Sequence, residues 1–93
     1  SEYNLIVIGD VEQGATVKSA GNIFVLGSLF GMAHAGCDGK SDAVIVAMKL
    51  LSEEIKIAEI STTIKQGAFK KFLPGVPEIA YIVGDEIKIE QYA

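Results

Sequence analysis

A pattern of four apolar residues, a Gly, a small polar residue and one further aliphatic residue occurs twice near the start of the chain. The first copy is LIVIGDV at residues 5–11, and the second is IFVLGSL at residues 23–29, eighteen positions later. A looser third copy, VIVAMKL at residues 44–50, follows after about three residues more and lacks the Gly. This period is too short for helical repeats but suits a coil of three short strands. The pattern predicts a small all-β solenoid.

Gly residues separate the apolar runs. Gly adopts positive φ without a Cβ clash, and a coil requires that freedom where it turns sharply from one side to the next. The competing use of such residues is a phosphate-binding loop, but no Gly cluster here leads into a convincing helix start. We therefore predict structural corners at Gly9, Gly14, Gly21, Gly27, Gly31 and Gly36.

Alternate residues of each apolar run face opposite ways. Stacked Val, Ile and Leu fit a narrow interior better than Phe24 does, so the predicted inward set is Leu5, Val7, Ile23, Val25, Val44 and Val46. The other set forms an exposed apolar stripe, and such a stripe usually pairs with its own copy by two-fold symmetry. The predicted homodimer interface consists of Ile6, Ile8, Phe24, Leu26 and Ile45.

The pattern changes in the last third of the chain. Apolar residues at helical spacing predict a short helix within residues 62–73, which would cap the open end of the solenoid. The tail then predicts a hairpin of residues 79–83 and 86–90, joined through Gly84 and Asp85.

Composition favours a single domain over residues 1–93 that associates with itself. A chain of 93 residues buries only about 60 to 65% of its unfolded surface. Hydrophobic residues make up 49% of it, more than so small a core needs, so apolar side chains are expected on the outside. Because the chain begins without Met, we also expect a fragment of a longer protein.

Charge and cysteine content limit the partners and the compartment. The net charge is −4 and every basic side chain other than His34 is Lys, which argues against nucleic-acid binding. Cys37 is the only Cys, so no intrachain disulfide can form and a reducing compartment is favoured. The apolar runs fall short of the ~18 residues of a membrane span. We expect a cytoplasmic domain.

Catalytic and metal chemistry is weakly represented. His34 is the only His, and a metal site there would need Cys37 and Asp38 as mixed ligands on a Gly-rich corner. The carboxylates are scattered over corners and strand exteriors, with no pair that spacing alone places in an apolar pocket. The sequence predicts neither an enzyme, nor a metal site, nor a cofactor.

Three motifs carry a specific resemblance. GDVEQGATV at residues 9–17, AGNIFVLGSLFG at 20–31 and AHAG at 33–36 resemble, in order and spacing, the C-terminal domain of the septum-site-determining protein MinC family. PEIAYIVGDEIKIE at residues 77–90 is similar to the closing hairpin of that family. The resemblance covers essentially the whole chain.

The resemblance implies a right-handed, three-sided β-helix shaped like a triangular prism, which dimerises through one flat face. It implies a cell-division regulator without enzyme activity, which binds the membrane-associated ATPase MinD and helps to antagonise the polymer FtsZ. Contact with the membrane would be indirect, with MinD recruiting the protein to its inner face. The N-terminal inhibitory domain of the family has no counterpart within these residues.

The resemblance also implies a partner surface along one edge of the prism. By position in the matching motifs, that patch contains Asp10, Phe30, Met32 and His34. Many family members have basic residues where this chain has Phe30 and Met32, and ordinary corner packing is the alternative role for these two. Two other classes compete with a binding module: a polymer-forming β-helix of the bactofilin type, and a hexapeptide-repeat acyltransferase, which would need more regular repeats.

Overall fold

The computed structural model describes residues 3–65 and 72–91, and all regular structure in them is β. Short runs rich in Val and Ile form the strands, as their preference for a pleated, half-buried surface predicts. The nine strands are β1 (Leu5–Val7), β2 (Thr16–Lys18), β3 (Ile23–Leu29), β4 (Met32–Ala35), β5 (Ile45–Leu50), β6 (Glu54–Ile57), β7 (Ile60–Thr63), β8 (Glu78–Val83) and β9 (Glu86–Gln91).

The strands form two mixed sheets. The first sheet has the order β1-β3-β5-β8-β9, and the second has the order β2-β4-β6-β7. The repeat-derived strands β1, β3 and β5 pair in parallel, as do β2, β4 and β6. The last strands, β7, β8 and β9, pair antiparallel. Each sheet therefore begins with parallel coils and ends with an antiparallel strand.

The eighteen-residue repeat is confirmed by strand pairing. Leu5 pairs with Ile23 and Val7 with Val25, so the first two copies lie side by side in register. Inward and outward faces also follow the prediction in the second copy, where Ile23 and Val25 are buried.

The third copy is displaced by one residue from the predicted register. Ile23 pairs with Ile45 and Val25 with Ala47, a separation of 22 residues rather than 21. Ile45 is 0% exposed, so its predicted place on the outer stripe is wrong, and Val46 lies there instead. A one-residue shift reverses every side chain of a strand, because side chains alternate with period two.

A β-bulge accounts for this displacement. Val25 pairs with Ala47 but Ser28 pairs with Lys49, so β3 has one more residue than β5 between these points. The separation of the coils falls to 21 residues beyond the bulge, as the pairing of Leu29 with Leu50 shows. A bulge bends its strand and disrupts the ladder locally. Sequence spacing alone measured only the second of the two separations.

The core lies between the two sheets and consists of small and branched aliphatic residues. The large side chains that are fully buried are Ile23, Val25, Leu29, Ile45, Leu50, Ile55 and Ile57. Ala33, Ala35 and Ala47 occupy the positions between them. Alternating small and large residues allow the two sheets to approach closely.

Backbone hydrogen bonds join successive turns between the sheets. The N–H of Gly36 donates to the carbonyl of Gly21 at 3.0 Å, and that of Gly21 donates to Tyr3 at 2.9 Å. Asn22 adds a side-chain link, because its Oδ1 accepts a bond from the N–H of Val44 at 2.8 Å. The turns are therefore connected from coil to coil although no third sheet forms among the described residues.

The predicted C-terminal cap is partly wrong. Ile60–Thr63 is strand β7, paired antiparallel with β6, whereas helical spacing predicts a helix from Thr62. Ser61 and Thr63 are exposed while Thr62 is half-buried, which is the alternation of a strand edge. The middle of the predicted helix, residues 66–71, lies outside the described residues. The closing hairpin of β8 and β9 is confirmed, and it turns through Gly84 and Asp85.

Gly9 and Gly27 occupy equivalent places on neighbouring coils. Gly9 has a φ of 122°, which L-residues with a side chain rarely adopt. Gly27 lies in β3 at the bulge without positive φ, and a Cβ there would overlap the carbonyl oxygen of Gly9 and lie 2.5 Å from Asp10 Oδ1. Gly27 is required because another backbone passes directly against it.

We expect Gly27→Ala to lower the free energy of unfolding by about 3 kcal/mol, because the neighbouring backbone must move away from the new methyl group. Gly39→Ala is the control: it has a φ of 100°, but a Cβ added there would meet nothing within 4 Å. Backbone conformation alone should cost about 1 kcal/mol there. Urea denaturation compares the two, and equal losses would contradict the close approach at Gly27.

Candidate functional site

An apolar row crosses the outer face of the first sheet. Strand pairing aligns Ile6 with Phe24, Phe24 with Val46, and Val46 with Ile79. Beside this row, Ile8 is 87% exposed and Leu26 is 56% exposed. We call Ile6, Ile8, Phe24, Leu26, Val46 and Ile79 the apolar face. A contiguous patch of this kind on a small folded domain marks an interaction surface.

The apolar face ends at a polar border on β9. Glu90 pairs with Ile79, and Lys88 pairs with Tyr81 on the same antiparallel ladder. A hydrogen bond with Glu90 raises the pKa of Tyr81 above its ordinary value of 10.0, with smaller contributions from partial burial and from the Glu90 charge. The phenol therefore stays protonated and donates to the carboxylate.

The predicted partner patch divides into separate places. Phe30 and Met32 line one shallow pocket of about 210 Å³, together with Thr16 and Glu54. The preceding coil fixes this turn, since the N–H groups of Phe30 and Gly31 both donate to the Val11 carbonyl. Phe30 remains 39% exposed. The pocket therefore offers an apolar ring and a thioether beside one carboxylate.

Asp10 and His34 do not line that pocket. Asp10 Oδ1 accepts a hydrogen bond from the N–H of Ser28 at 2.7 Å, which ties the first coil to the second. His34 Nε2 lies 2.9 Å from the carbonyl oxygen of Ala58. Because a carbonyl only accepts, Nε2 carries the proton in this contact. Both side chains have structural bonds in addition to any partner role.

A larger groove of about 870 Å³ lies at one end of the molecule. Its lining includes Phe30, Leu51 and Leu73. Glu78, which is 7% exposed, is also at this groove and accepts a hydrogen bond from the N–H of Leu50 at 2.7 Å. The carboxylate replaces the missing backbone partner just beyond the pairing of β5 with β8. Sequence reasoning missed Glu78, since its burial depends on that pairing.

The other candidate groups are not arranged as reactive sites. Gly39-Lys40-Ser41 resembles the end of a phosphate-binding loop, but the chain continues into strand β5 rather than a helix, and Lys40 Nζ is 3.2 Å from Asp42 Oδ1. Cys37 is half-buried with its sulfur 3.9 Å from Asp38. Over residues 3–65 and 72–91, no three His, Cys, Asp or Glu side chains converge as metal ligands. The same residues contain no helix of the length and hydrophobicity needed to cross a bilayer.

Sequence repeats that pair as parallel strands in two sheets, closed by an antiparallel hairpin, define a small all-β repeat domain. Residues 1–92 match the family model described as septum formation inhibitor MinC, C-terminal domain. The chain belongs to this family, as the three motifs of its first half indicated.

Curated relatives carry the same family name. The probable septum site-determining protein MinC of Symbiobacterium thermophilum is 40% identical over 90 residues, which are 97% of this chain and 38% of that protein. The septum site-determining protein MinC of Bacillus subtilis is 51% identical over 57 residues, or 61% of this chain and 25% of that protein. The chain thus spans about two fifths or less of the length of these relatives.

A solved structure shares the fold. A chain of the MinC:MinD cell division protein complex from Aquifex aeolicus superimposes with a TM-score of 0.69 at 24% sequence identity. The match covers 98% of this chain and 87% of that one. At this level of identity, the similarity establishes the architecture.

The border of the apolar face yields a pH prediction. Because the pKa of folded Tyr81 is raised above its unfolded value, this interaction stabilises the fold below pH 10.0 and is lost as the pH rises through the folded pKa. Glu90→Gln removes the charge, so we expect Tyr81 to titrate closer to its ordinary value. Ultraviolet titration of the phenols in Glu90→Gln and Tyr81→Phe measures this. An unchanged titration curve in both variants would contradict the contact.

Proposed function

We propose that this chain is the dimerisation and MinD-binding domain of a MinC-type cell-division inhibitor, which helps to antagonise FtsZ assembly during septation. The single observation that supports it most is the apolar face, joined with membership of the family. The family is one of division regulators, and we propose a role in binding without catalysis. Because the chain spans only part of its relatives, these activities are proposed for the longer protein to which such a domain contributes.

The proposed homodimer uses the apolar face of the first sheet. Ile6, Phe24 and Leu26 lie on neighbouring parallel strands whose spacing of about 4.8 Å makes a flat surface. A flat apolar surface can meet its own copy across a two-fold axis, which gives each subunit the same contacts. Val46 replaces the predicted Ile45 in this proposal, since Ile45 is buried in the core.

We further infer that the coils form a right-handed, three-sided β-helix over a single domain of residues 1–93. Support comes from the turns between the sheets, where Gly21, Gly36 and Asn22 make hydrogen bonds from one coil to the next. These turns occupy the place of the third side of a prism.

The proposed surface for the MinD-type ATPase is the pocket of Phe30 and Met32. Neither side chain is charged, so recognition here would depend on apolar contact and would change little with salt. Asp10 and His34 remain proposed members of the wider surface, one on each side of the pocket along the chain. Recruitment to the inner face of the membrane would follow from binding this partner.

A filament of the bactofilin type is less well supported. End-to-end assembly needs free strand edges at both ends of the coil. At one end, the first sheet finishes in β9, where Glu86, Lys88 and Glu90 are exposed and charged. Charged side chains on an edge strand oppose pairing with another chain. A closed dimer is therefore the form we propose.

Phe24→Asp tests the dimer. A carboxylate buried against apolar neighbours costs several kcal/mol, so we expect the variant to be monomeric at concentrations where the natural sequence is dimeric. Sedimentation velocity measures the change. Thr16→Asp, exposed on β2 of the other sheet, is the control and should leave the dimer intact. A folded Phe24→Asp variant that remains dimeric would exclude the apolar face as the interface.

Phe30→Ala combined with Met32→Ala tests the partner surface. We expect ATP-dependent binding to a cognate MinD to weaken by about tenfold or more, because both apolar contacts of the pocket are removed. Co-sedimentation with MinD-coated vesicles measures binding, and thermal melting and sedimentation should change little. Leu73→Ala, exposed beside the larger groove, is the control. Unchanged binding in the double variant would place the partner surface elsewhere.

A further inference from the structure

A row of basic residues crosses the outer face of the second sheet. Lys18 on β2 pairs in register with His34 on β4, and His34 pairs with Lys56 on β6. Because neighbouring strands are about 4.8 Å apart, the three residues span about 10 Å in a straight line. We call Lys18, His34 and Lys56 the basic row. Sequence reasoning missed it, since its members are far apart along the chain.

Nothing within the described part of the chain neutralises the two lysines of this row. Its ion pairs join Lys40 to Asp42 and Lys88 to Glu86, and neither Lys18 nor Lys56 takes part in one. Like charges on neighbouring strands destabilise a sheet. A protein with twelve acidic residues and a net charge of −4 therefore keeps an unpaired basic row at some cost in stability. An external anion would offset that cost.

His34 can increase the charge of the row. Its Nε2–H donates to the Ala58 carbonyl and so fixes the ring, which leaves Nδ1 as the nitrogen that takes up a second proton at low pH. The charged groups around it are Lys18 and Lys56 on the flanking strands, with Glu59 exposed in the turn after Ala58. Protonation would place three positive groups in line.

We propose that the basic row binds an extended acidic segment of a partner protein. The row is one residue wide, and the neighbouring positions on the same face are Thr16, Met32 and Glu54, which carry no positive charge. A narrow strip of this kind suits a single chain with alternating acidic side chains, about 7 Å apart on one side. A lipid surface or a nucleic acid would instead meet the net negative charge of the whole domain. This site goes beyond the function proposed above, which uses the apolar face and the pocket of Phe30 and Met32.

Nuclear magnetic resonance titration of the labelled domain with a short oligoglutamate peptide tests the proposal. We expect amide and ring shifts centred on Lys18, His34 and Lys56, none with oligoglutamine, and weaker binding as salt rises. Binding should strengthen below about pH 6.5, where His34 gains its charge. Lys18→Gln with Lys56→Gln should weaken binding by about tenfold.

The control is Lys49→Gln with Lys88→Gln, which removes the same charge from exposed positions on the first sheet. It should retain most of the affinity. Equal weakening in both double variants would show that net charge alone attracts the peptide, and shifts centred elsewhere would exclude the row; either result overturns the proposal. So would retention by vesicles rich in anionic lipid together with no response to the peptide. Circular dichroism verifies that each variant is folded.

Discussion

The whole structure depends on in-register pairing between successive coils. Leu5 against Ile23 and Ile23 against Ile45 set which side chains point inward, and every surface follows from that choice. Side chains alternate along a strand, so a register that buries Ile23 and Val25 necessarily exposes Phe24 and Leu26. The core and the apolar face are consequently two results of one set of backbone hydrogen bonds.

The two sheets divide the surface by chemistry. The first sheet presents aliphatic and aromatic side chains, whereas the second presents Lys18, His34 and Lys56 beside Thr16 and Met32. A domain that pairs through its apolar sheet leaves the other sheet open, because the two sheets face opposite sides of the core. The shallow pocket of Phe30 and Met32 lies at the start of β4 on this open side. One small domain can therefore present several distinct contact surfaces at once.

Backbone proximity explains residues that a single chain pattern leaves ambiguous. Gly27 is needed because the carbonyl of Gly9 passes against it, although its own φ is not positive. Glu78 tolerates burial because it accepts the N–H of Leu50 beyond the end of the β5–β8 pairing. Asp10 binds the N–H of Ser28 on the next coil. In each case, a polar or small residue satisfies a requirement created by a neighbouring coil.

The sequence by itself determined the repeat, the strands, the inward face of the second coil, the closing hairpin and the family. These follow from local alternation and from motifs of fixed spacing, which a single chain displays directly. Only the tertiary structure decided the register of the third coil, because the bulge near Gly27 adds a residue that no spacing of Val44–Leu50 against Ile23–Leu29 displays. It also decided the strand at Ile60–Thr63, where pairing with β6 prevails over helical spacing, and the basic row, which exists only when distant strands lie side by side.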